Sequence, residues 1–140
     1  MNIMKELTIK AQIDSIPVIT EFVEEQLEPL NFSQKAMIQL SVAIDEIFSN
    51  IAKFAYGSKE GMATVRVETE ADPTTAVITF IDSGTPFDPL QKADPDVTLD
   101  AEEREIGGLG IFLVKKSMDE ITYEYKDGHN VLRIRKKHAG

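Results

Sequence analysis

The sequence of 140 residues contains no cysteine, and this absence excludes a fold held together by disulfide bonds. It also lacks any run of about 18 uncharged apolar residues, the length that crosses a bilayer as a helix. The first twelve residues, MNIMKELTIKAQ, have neither the apolar centre nor the small-residue cleavage site of a secretion signal. We therefore expect a soluble, cytoplasmic protein that makes no contact with a membrane.

Basic residues are also scarce: 15 lysines and arginines stand against 24 aspartates and glutamates, which gives a formal net charge of -9. A surface that binds the phosphates of DNA or RNA normally needs clustered basic side chains, so nucleic acid is not an expected partner. A small phosphate ligand is still compatible with this charge. The backbone N–H groups at the start of a helix bind phosphate whatever the net charge of the chain.

The spacing of apolar residues predicts a strand and then a helix at the start of the chain. Residues 3–11 alternate between apolar and polar side chains, as expected of a strand. The helix that follows has Asp14 or Ser15 as its N-cap and Pro17 in its first turn, and it ends near Glu28.

The second helix has the clearest helical pattern in the chain. Ser33 is a suitable N-cap, and apolar residues then recur at three- and four-residue steps until about Tyr56. Two strands follow at residues 63–70 and 75–82, separated by a turn. The second of these strands is almost continuously apolar, so we expect it near the centre of the sheet.

Residues 85–106 differ in composition from the rest of the chain. They contain three of the six prolines, seven acidic residues and only two basic ones, and a loop of this length within one domain is typically a functional lid. A third helix at 106–118 and a strand pair at 119–128 and 129–137 follow. We therefore predict one domain over residues 1–140, an α/β two-layer sandwich with a mixed, largely antiparallel sheet and helices on one face.

Three short motifs carry polar residues or glycines that indicate a site, and the first lies in the second helix. In AIDEIFSNIAKFAY, Glu46 and Asn50 lie one helical turn apart beside the apolar stripe. A carboxylate at such a boundary can polarise a hydroxyl, and an amide oxygen can coordinate a cation such as Mg²⁺. Taken alone, the pair is also what a solvated helix edge contains.

The second motif, FIDSGTP, places Asp82 at the end of the apolar strand and Gly84 two residues later, where glycine lets the backbone approach a neighbour closely. A buried acid there needs a hydrogen-bond donor from the protein, from water or from a ligand, such as an exocyclic amine. The alternative is a turn in which Asp82 only ends the strand.

The third motif, IGGLGIF, follows the predicted lid and opens the third helix. Gly107, Gly108 and Gly110 expose backbone N–H groups at the positive end of the helix dipole, where phosphate oxygens bind well. It is not a P-loop, because no Gly-Lys-Ser/Thr follows. A flexible hinge for the loop is the alternative.

Together and in this order, the three motifs resemble the Bergerat ATPase fold shared by histidine kinases, Hsp90, gyrase B and MutL. The short length and the segments NIAKFAY, IDSGTPFDP and GGLGIFLVKK are most similar to the bacterial anti-sigma factor serine/threonine kinases. The resemblance extends over essentially the whole chain. Two positions depart from it: Phe54 stands where relatives often carry histidine, and Asn130 stands where a threonine is common.

The resemblance implies a role for each motif residue. Asp82 would accept a hydrogen bond from the adenine amino group of ATP, Asn50 would hold Mg²⁺ against the triphosphate, and Glu46 would be the catalytic base. The other expected ATP-binding residues are Lys53, Gly84, Arg104, Gly107, Gly108, Leu109 and Gly110.

The resemblance also implies a function and partners. The expected activity is phosphorylation of an anti-anti-sigma protein of the STAS type, together with sequestration of a sigma factor through another surface; relatives of this type commonly form homodimers. One alternative is a non-catalytic module in which ATP binding gates partner binding. The other is the catalytic domain of a sensor histidine kinase, which we expect less because neither His129 nor His138 lies in a helix suited to receive phosphate.

Overall fold

The computed structural model describes residues 4–71, 74–91 and 108–139. The elements are, in order, β1 (Met4–Lys10), α1 (Ile16–Leu27), α2 (Gln34–Phe54), β2 (Met62–Glu70), β3 (Thr75–Asp82), α3 (Gly108–Ser117), β4 (Glu120–Lys126) and β5 (His129–Lys137). Within the predicted lid, Pro89–Gln91 form a short 3-10 turn. The rest of the lid, from residue 92 onward, lies outside the described residues. None of the described helices has the length and apolarity needed to cross a bilayer.

The five strands form a single sheet in the order β1-β2-β3-β5-β4, and all four neighbouring pairs are antiparallel. The apolar strand β3 is central, as its composition predicted, and its side chains are buried on both faces of the sheet except for half-buried Ile81. The prediction of an α/β two-layer fold with a largely antiparallel sheet is confirmed; no parallel pair occurs among the described strands.

One apolar core joins the helices to one face of the sheet. Buried positions alternate along β2 and β5, so that Val65 and Ile134 point toward the helices. All three helices contribute side chains to the same cluster. The largest fully buried side chains include Phe48, Phe80, Ile19, Leu27, Leu40, Ile44, Ile47 and Ile78.

On the opposite face of the sheet, long side chains of the neighbouring strands cover the central strand β3. Thr79 points to this face from the middle of β3 and is nevertheless fully buried. Its two strand neighbours across the sheet are Arg66 and Arg133, and Arg133 Nε donates to the Thr79 hydroxyl at 3.3 Å. Arg66 pairs with Glu6 at 2.6 Å. The arginine stems thus shield the strand while their charged ends stay paired or in contact with water.

The N-termini of α1 and α2 test two predictions about helix capping. The Ser33 side chain accepts a hydrogen bond from Ala36 N at 3.0 Å and caps α2, as predicted. The predicted side-chain cap of α1 is wrong, because Ser15 Oγ donates instead to the carbonyl of Lys10 at 2.7 Å. Pro17 does lie in the first turn of α1. Ser15 therefore ties the end of β1 to the start of α1 rather than capping the helix.

Candidate functional site

A pocket lies between the C-terminal half of α2, the ends of β3 and β5, and the loop that follows β3. About 430 Å³ of space in this region is free of protein atoms, part of it open to solvent. Its wall is mainly apolar, with few polar side chains. Such a wall is typical of sites that bind flat organic molecules. The lining residues are Ile47, Asn50, Ile51, Phe54, Ala55, Phe80, Asp82, Thr85, Phe87, Pro89, Ile111, Tyr123, Asn130 and Leu132.

Strand pairing brings two polar side chains of this pocket together. Asp82 ends β3 and is directly paired with Asn130 of β5, and both residues are buried. Directly paired residues project to the same face of a sheet, and Asn130 Nδ2 donates to Asp82 Oδ1 at 2.9 Å. Gly84 N donates to the same oxygen at 2.9 Å. Both bonds use Oδ1, and neither uses Oδ2.

The loop after β3 packs tightly on the end of α2. A Cβ added at Gly84 would overlap the carbonyl group of Ala55, and Thr85 N donates to Ala55 O at 2.7 Å. Gly84 was predicted to let the backbone approach whatever lies above it, and the close neighbour in the structure is this helix end. The turn at Asp82, our alternative interpretation, is also present, since Gly84 N bonds its side chain. Asp82 therefore both ends the strand and lines the pocket.

Tyr56 also holds this loop. Its hydroxyl donates to the carbonyl of Met62 at 2.5 Å and accepts from Ser83 N at 2.9 Å. A Cβ at Gly61 would overlap the Tyr56 ring, so that position leaves room for it. Tyr56 belongs to the NIAKFAY segment, yet its role in fixing the pocket loop was not predicted.

Glu46 lies on α2 against the first turn of α3. A Cβ at Gly110 would overlap the Glu46 carboxylate, so glycine at this position admits the side chain. Burial raises the pKa of Glu46 above its usual 4.5; Lys53 opposes this rise and Asp45 adds to it. The structure thus brings the first and third motifs into contact, which the sequence analysis did not predict.

The other predicted site residues fall into three groups. Asn50 is half-buried and lines the pocket one turn after Glu46. Lys53 is exposed and is not among the lining residues. The third group lies at or before the start of α3: Gly108 and Leu109 open this helix, and Arg104 and Gly107 lie outside the described part of the chain.

Two aromatic rings stand at the mouth of the pocket. Phe54, at the end of α2, lies 5.3 Å from Phe87 between ring centroids, with the planes tilted by 31°. Both rings line the pocket and are partly exposed. Phe54 therefore makes an aromatic contact with the loop that follows β3.

The raised pKa of Glu46 predicts that Glu46→Gln is more stable than the parent protein near neutral pH. The folded state holds this proton more tightly than the unfolded state, so stability falls as pH rises from about 4.5 through the raised pKa. Glutamine lacks the charge that burial penalises. Because the side chain is only half-buried, we expect a gain of less than about 1 kcal/mol, or roughly 2–4 °C.

Thermal melts of the two proteins between pH 4 and pH 8 test this expectation. The curves should converge below about pH 4.5, where the carboxyl group is protonated in both states. A constant difference at every pH would show that the effect comes from packing against Gly110 and not from the charge.

Comparison with known proteins identifies the family. The model of the histidine kinase-like ATPase domain matches residues 9–136. The chain belongs to this family. It is 36% identical over 106 residues to the serine-protein kinase RsbW of Listeria monocytogenes, an alignment that covers 72% of this chain and 66% of the relative. The chain therefore spans a little under two-thirds of that protein's length.

One further relative and one solved structure are also similar to the chain. RsbW of Bacillus thuringiensis is 25% identical over 131 residues, covering 91% of this chain and 81% of the relative. The crystal structure of the RsbU and RsbW domains of a Mycobacterium tuberculosis protein superimposes with a TM-score of 0.68 at 14% identity, covering 96% of this chain and 32% of that one. The last comparison supports the fold alone. As a histidine kinase-like ATPase domain, the chain has the fold of an ATP-binding unit.

Proposed function

We propose that this chain is an ATP-dependent serine/threonine protein kinase that phosphorylates an anti-anti-sigma protein of the STAS type and sequesters a sigma factor. The observation that carries the proposal is the arrangement of two regions of the candidate site. A buried Asp82 lies in an apolar pocket, while Glu46 lies against the glycine-rich start of α3. The pocket around Asp82 is suited to a purine base, and the region beside Glu46 is suited to a phosphate chain.

The base would lie in the apolar part of the pocket. Ile51, Phe80 and Leu132 line it with apolar surface, which fits the faces of a flat heterocycle. Asp82 Oδ2 would accept from the exocyclic amine, because the two donors described above occupy Oδ1. A carboxylate can only accept, so it favours an amino group at this place.

The phosphates would lie between α2 and the start of α3. The N–H groups of the first turn of α3 are suited to phosphate oxygens, and the expected contributors there are Gly107, Gly108, Leu109 and Gly110, with Arg104 and Lys53 as cations. Asn50 offers one amide oxygen, and magnesium takes most of its ligands from water and phosphate. Bound Mg²⁺ would neutralise charge on the transferred phosphoryl group.

Glu46 would act as the general base. Its carboxylate would take the proton from a serine hydroxyl of the partner as that oxygen attacks the γ-phosphorus of ATP, and the bond from this phosphorus to the β-phosphate oxygen would break to release ADP. Burial raises the pKa of Glu46, and a base works best when its pKa lies closer to the working pH. Gly110 leaves the space in which this carboxylate lies.

The partners are inferred from the family resemblance. Relatives of this chain from Listeria monocytogenes and Bacillus thuringiensis are named serine-protein kinase RsbW. We propose a STAS-type substrate, a sigma factor as the sequestered partner, a cytoplasmic location and a homodimer as the active form. No direct contact with nucleic acid is proposed.

Phosphate transfer to a purified partner tests this function. The protein is incubated with Mg²⁺, ATP labelled on the γ-phosphate, and each STAS-type protein of its host in turn. We expect label on a serine or threonine of one of them. Binding of ATP without transfer to any partner would favour the non-catalytic, ATP-gated alternative, and absence of ATP binding by calorimetry would refute both.

A further inference from the structure

The side chain of Asn130 connects Asp82 to the loop that follows β3 and to the neighbouring strand β4. We infer that Asn130 is a positioning residue: it fixes the carboxyl group of Asp82 for recognition of the base amine and ties the pocket loop to the sheet. The inference rests on the proposed nucleotide site.

The amide nitrogen of Asn130 lies within hydrogen-bonding distance of three acceptor oxygens. It lies 2.9 Å from Asp82 Oδ1, 3.0 Å from the carbonyl oxygen of Thr85, and 3.5 Å from that of Gly84. The first two are good hydrogen bonds and the third is at the outer limit. An amide NH₂ has two hydrogens to donate, so these contacts use its donor capacity.

The amide oxygen of Asn130 is used as well. It accepts from Phe87 N at 3.1 Å and from the hydroxyl of Tyr123. An amide oxygen has two lone pairs. Asn130 is buried and lines the pocket, yet all of its hydrogen-bonding capacity is directed to protein atoms. It therefore acts on a ligand through Asp82 and the loop, with no hydrogen-bonding group left for the ligand itself.

A threonine at position 130 would not make this set of contacts. A hydroxyl donates one hydrogen, so it can serve Asp82 or the carbonyl of Thr85 but not both. The asparagine thus adds at least one link between the loop and β5. Since that loop also packs on Ala55, the base pocket is fixed between α2 and the sheet.

The orientation of Asp82 is a direct consequence. Its Oδ1 accepts from two donors, Asn130 Nδ2 and Gly84 N, that lie on different elements. Rotation of the carboxyl group would break both bonds, so the group is held with Oδ2 as the oxygen available to a ligand. Preorganised acceptors of this kind discriminate strongly against ligands that lack the matching donor.

The position of the pocket mouth is a second consequence. Asn130 holds the backbone N–H of Phe87, whose ring contacts Phe54. The same side chain therefore sets the position of the base-reading carboxylate and of one ring at the mouth.

A pair of nucleotides separates positioning from general stability. ATP carries the 6-amino group, whereas purine riboside triphosphate lacks it and adds no new acceptor. We expect Asn130→Ala to weaken ATP binding by about 10-fold, with an effect on purine riboside triphosphate of less than about 2-fold, both measured by calorimetry. Asn130→Thr should recover part of the ATP preference, because its hydroxyl can donate to Asp82.

A milder pair of variants keeps the test informative if Asn130→Ala folds poorly. Tyr123→Phe removes one donor to Asn130 Oδ1, and Tyr125→Phe is its matched control, since that ring is exposed on the same strand and does not line the pocket. We expect Tyr123→Phe to reduce the ATP preference by about 2- to 5-fold and to speed hydrogen exchange of the Phe87 amide in the ligand-free protein. Tyr125→Phe should change neither.

The outcomes distinguish this inference from the proposed function. If the parent protein binds neither nucleotide, the nucleotide site itself fails. If it prefers ATP and both Asn130→Ala and Tyr123→Phe keep that preference unchanged, the nucleotide site stands and the positioning role of Asn130 is wrong. Equal loss of affinity for both nucleotides would likewise overturn the inference, because it would indicate a structural role alone.

Discussion

Asp82→Asn should weaken ATP binding by roughly 100-fold while leaving the fold intact. The two donors to Asp82, Asn130 Nδ2 and Gly84 N, both use Oδ1. An asparagine can present its amide oxygen to these donors and keep both bonds. Its NH₂ group then replaces Oδ2, so a donor faces the amine of adenine where an acceptor stood. The substitution therefore changes recognition and little else.

A control for this variant lies in the same loop. Asp88→Asn makes the same chemical change in a residue whose Oδ1 accepts from Leu90 N at 2.8 Å and which does not line the pocket. Calorimetry with ATP and Mg²⁺ should give a dissociation constant within about 2-fold of the parent for this control. If Asp82→Asn binds ATP as tightly as the control does, Asp82 does not read the base.

The fold was largely predictable because its signals are local. The stripe of α2 and the alternation of β2 and β5 each reflect the side of the element that is buried. The apolar run of β3 predicted a central strand, since such a strand is covered on both faces. The capping of α1 was not predictable in this way, because Ser15 bonds to a carbonyl at the end of β1, a contact between elements.

The site was predictable only in part, for a related reason. The motifs singled out Asp82 and Glu46, and the structure gives each a neighbour from another element: Asn130 for the first and Gly110 for the second. The register of β3 with β5 decides the Asn130 contact, and no short-range pattern reveals a register. One signal was available. Asn130 is a polar residue at a position that the alternation of β5 assigns to the buried face.

The structure also gives Gly84 and Gly110 a different role from the one expected from the sequence. Gly84 and Gly110 were expected to bring backbone close to a ligand. Both are needed by protein neighbours, since a Cβ would overlap Ala55 in one case and Glu46 in the other. A substitution at Gly84 would therefore disturb the loop after β3, and one at Gly110 would displace the Glu46 carboxylate. Either disturbance would obscure an effect on phosphate contacts. Tests of the mechanism are better made at the side chains.

Glu46→Gln should leave ATP affinity within about 2-fold of the parent and slow phosphate transfer by roughly 10²- to 10⁴-fold. Glutamine has nearly the same shape as glutamate, so it can occupy the space that Gly110 leaves. It cannot accept the proton of the attacking serine. A loss in transfer without a loss in binding is the pattern expected when an interaction acts only on the chemical step.

The pH profile and a neighbouring control sharpen this test. Transfer by the parent protein should rise with pH through the raised pKa of Glu46 and then level off, since only the carboxylate form accepts a proton. The residual rate of Glu46→Gln should lack that rise. Asp45→Asn removes a charge from the adjacent, exposed residue of α2 and should transfer phosphate at the parent rate. Transfer by Glu46→Gln at the rate of this control would show that another group is the base, and the proposed role of Glu46 would be wrong.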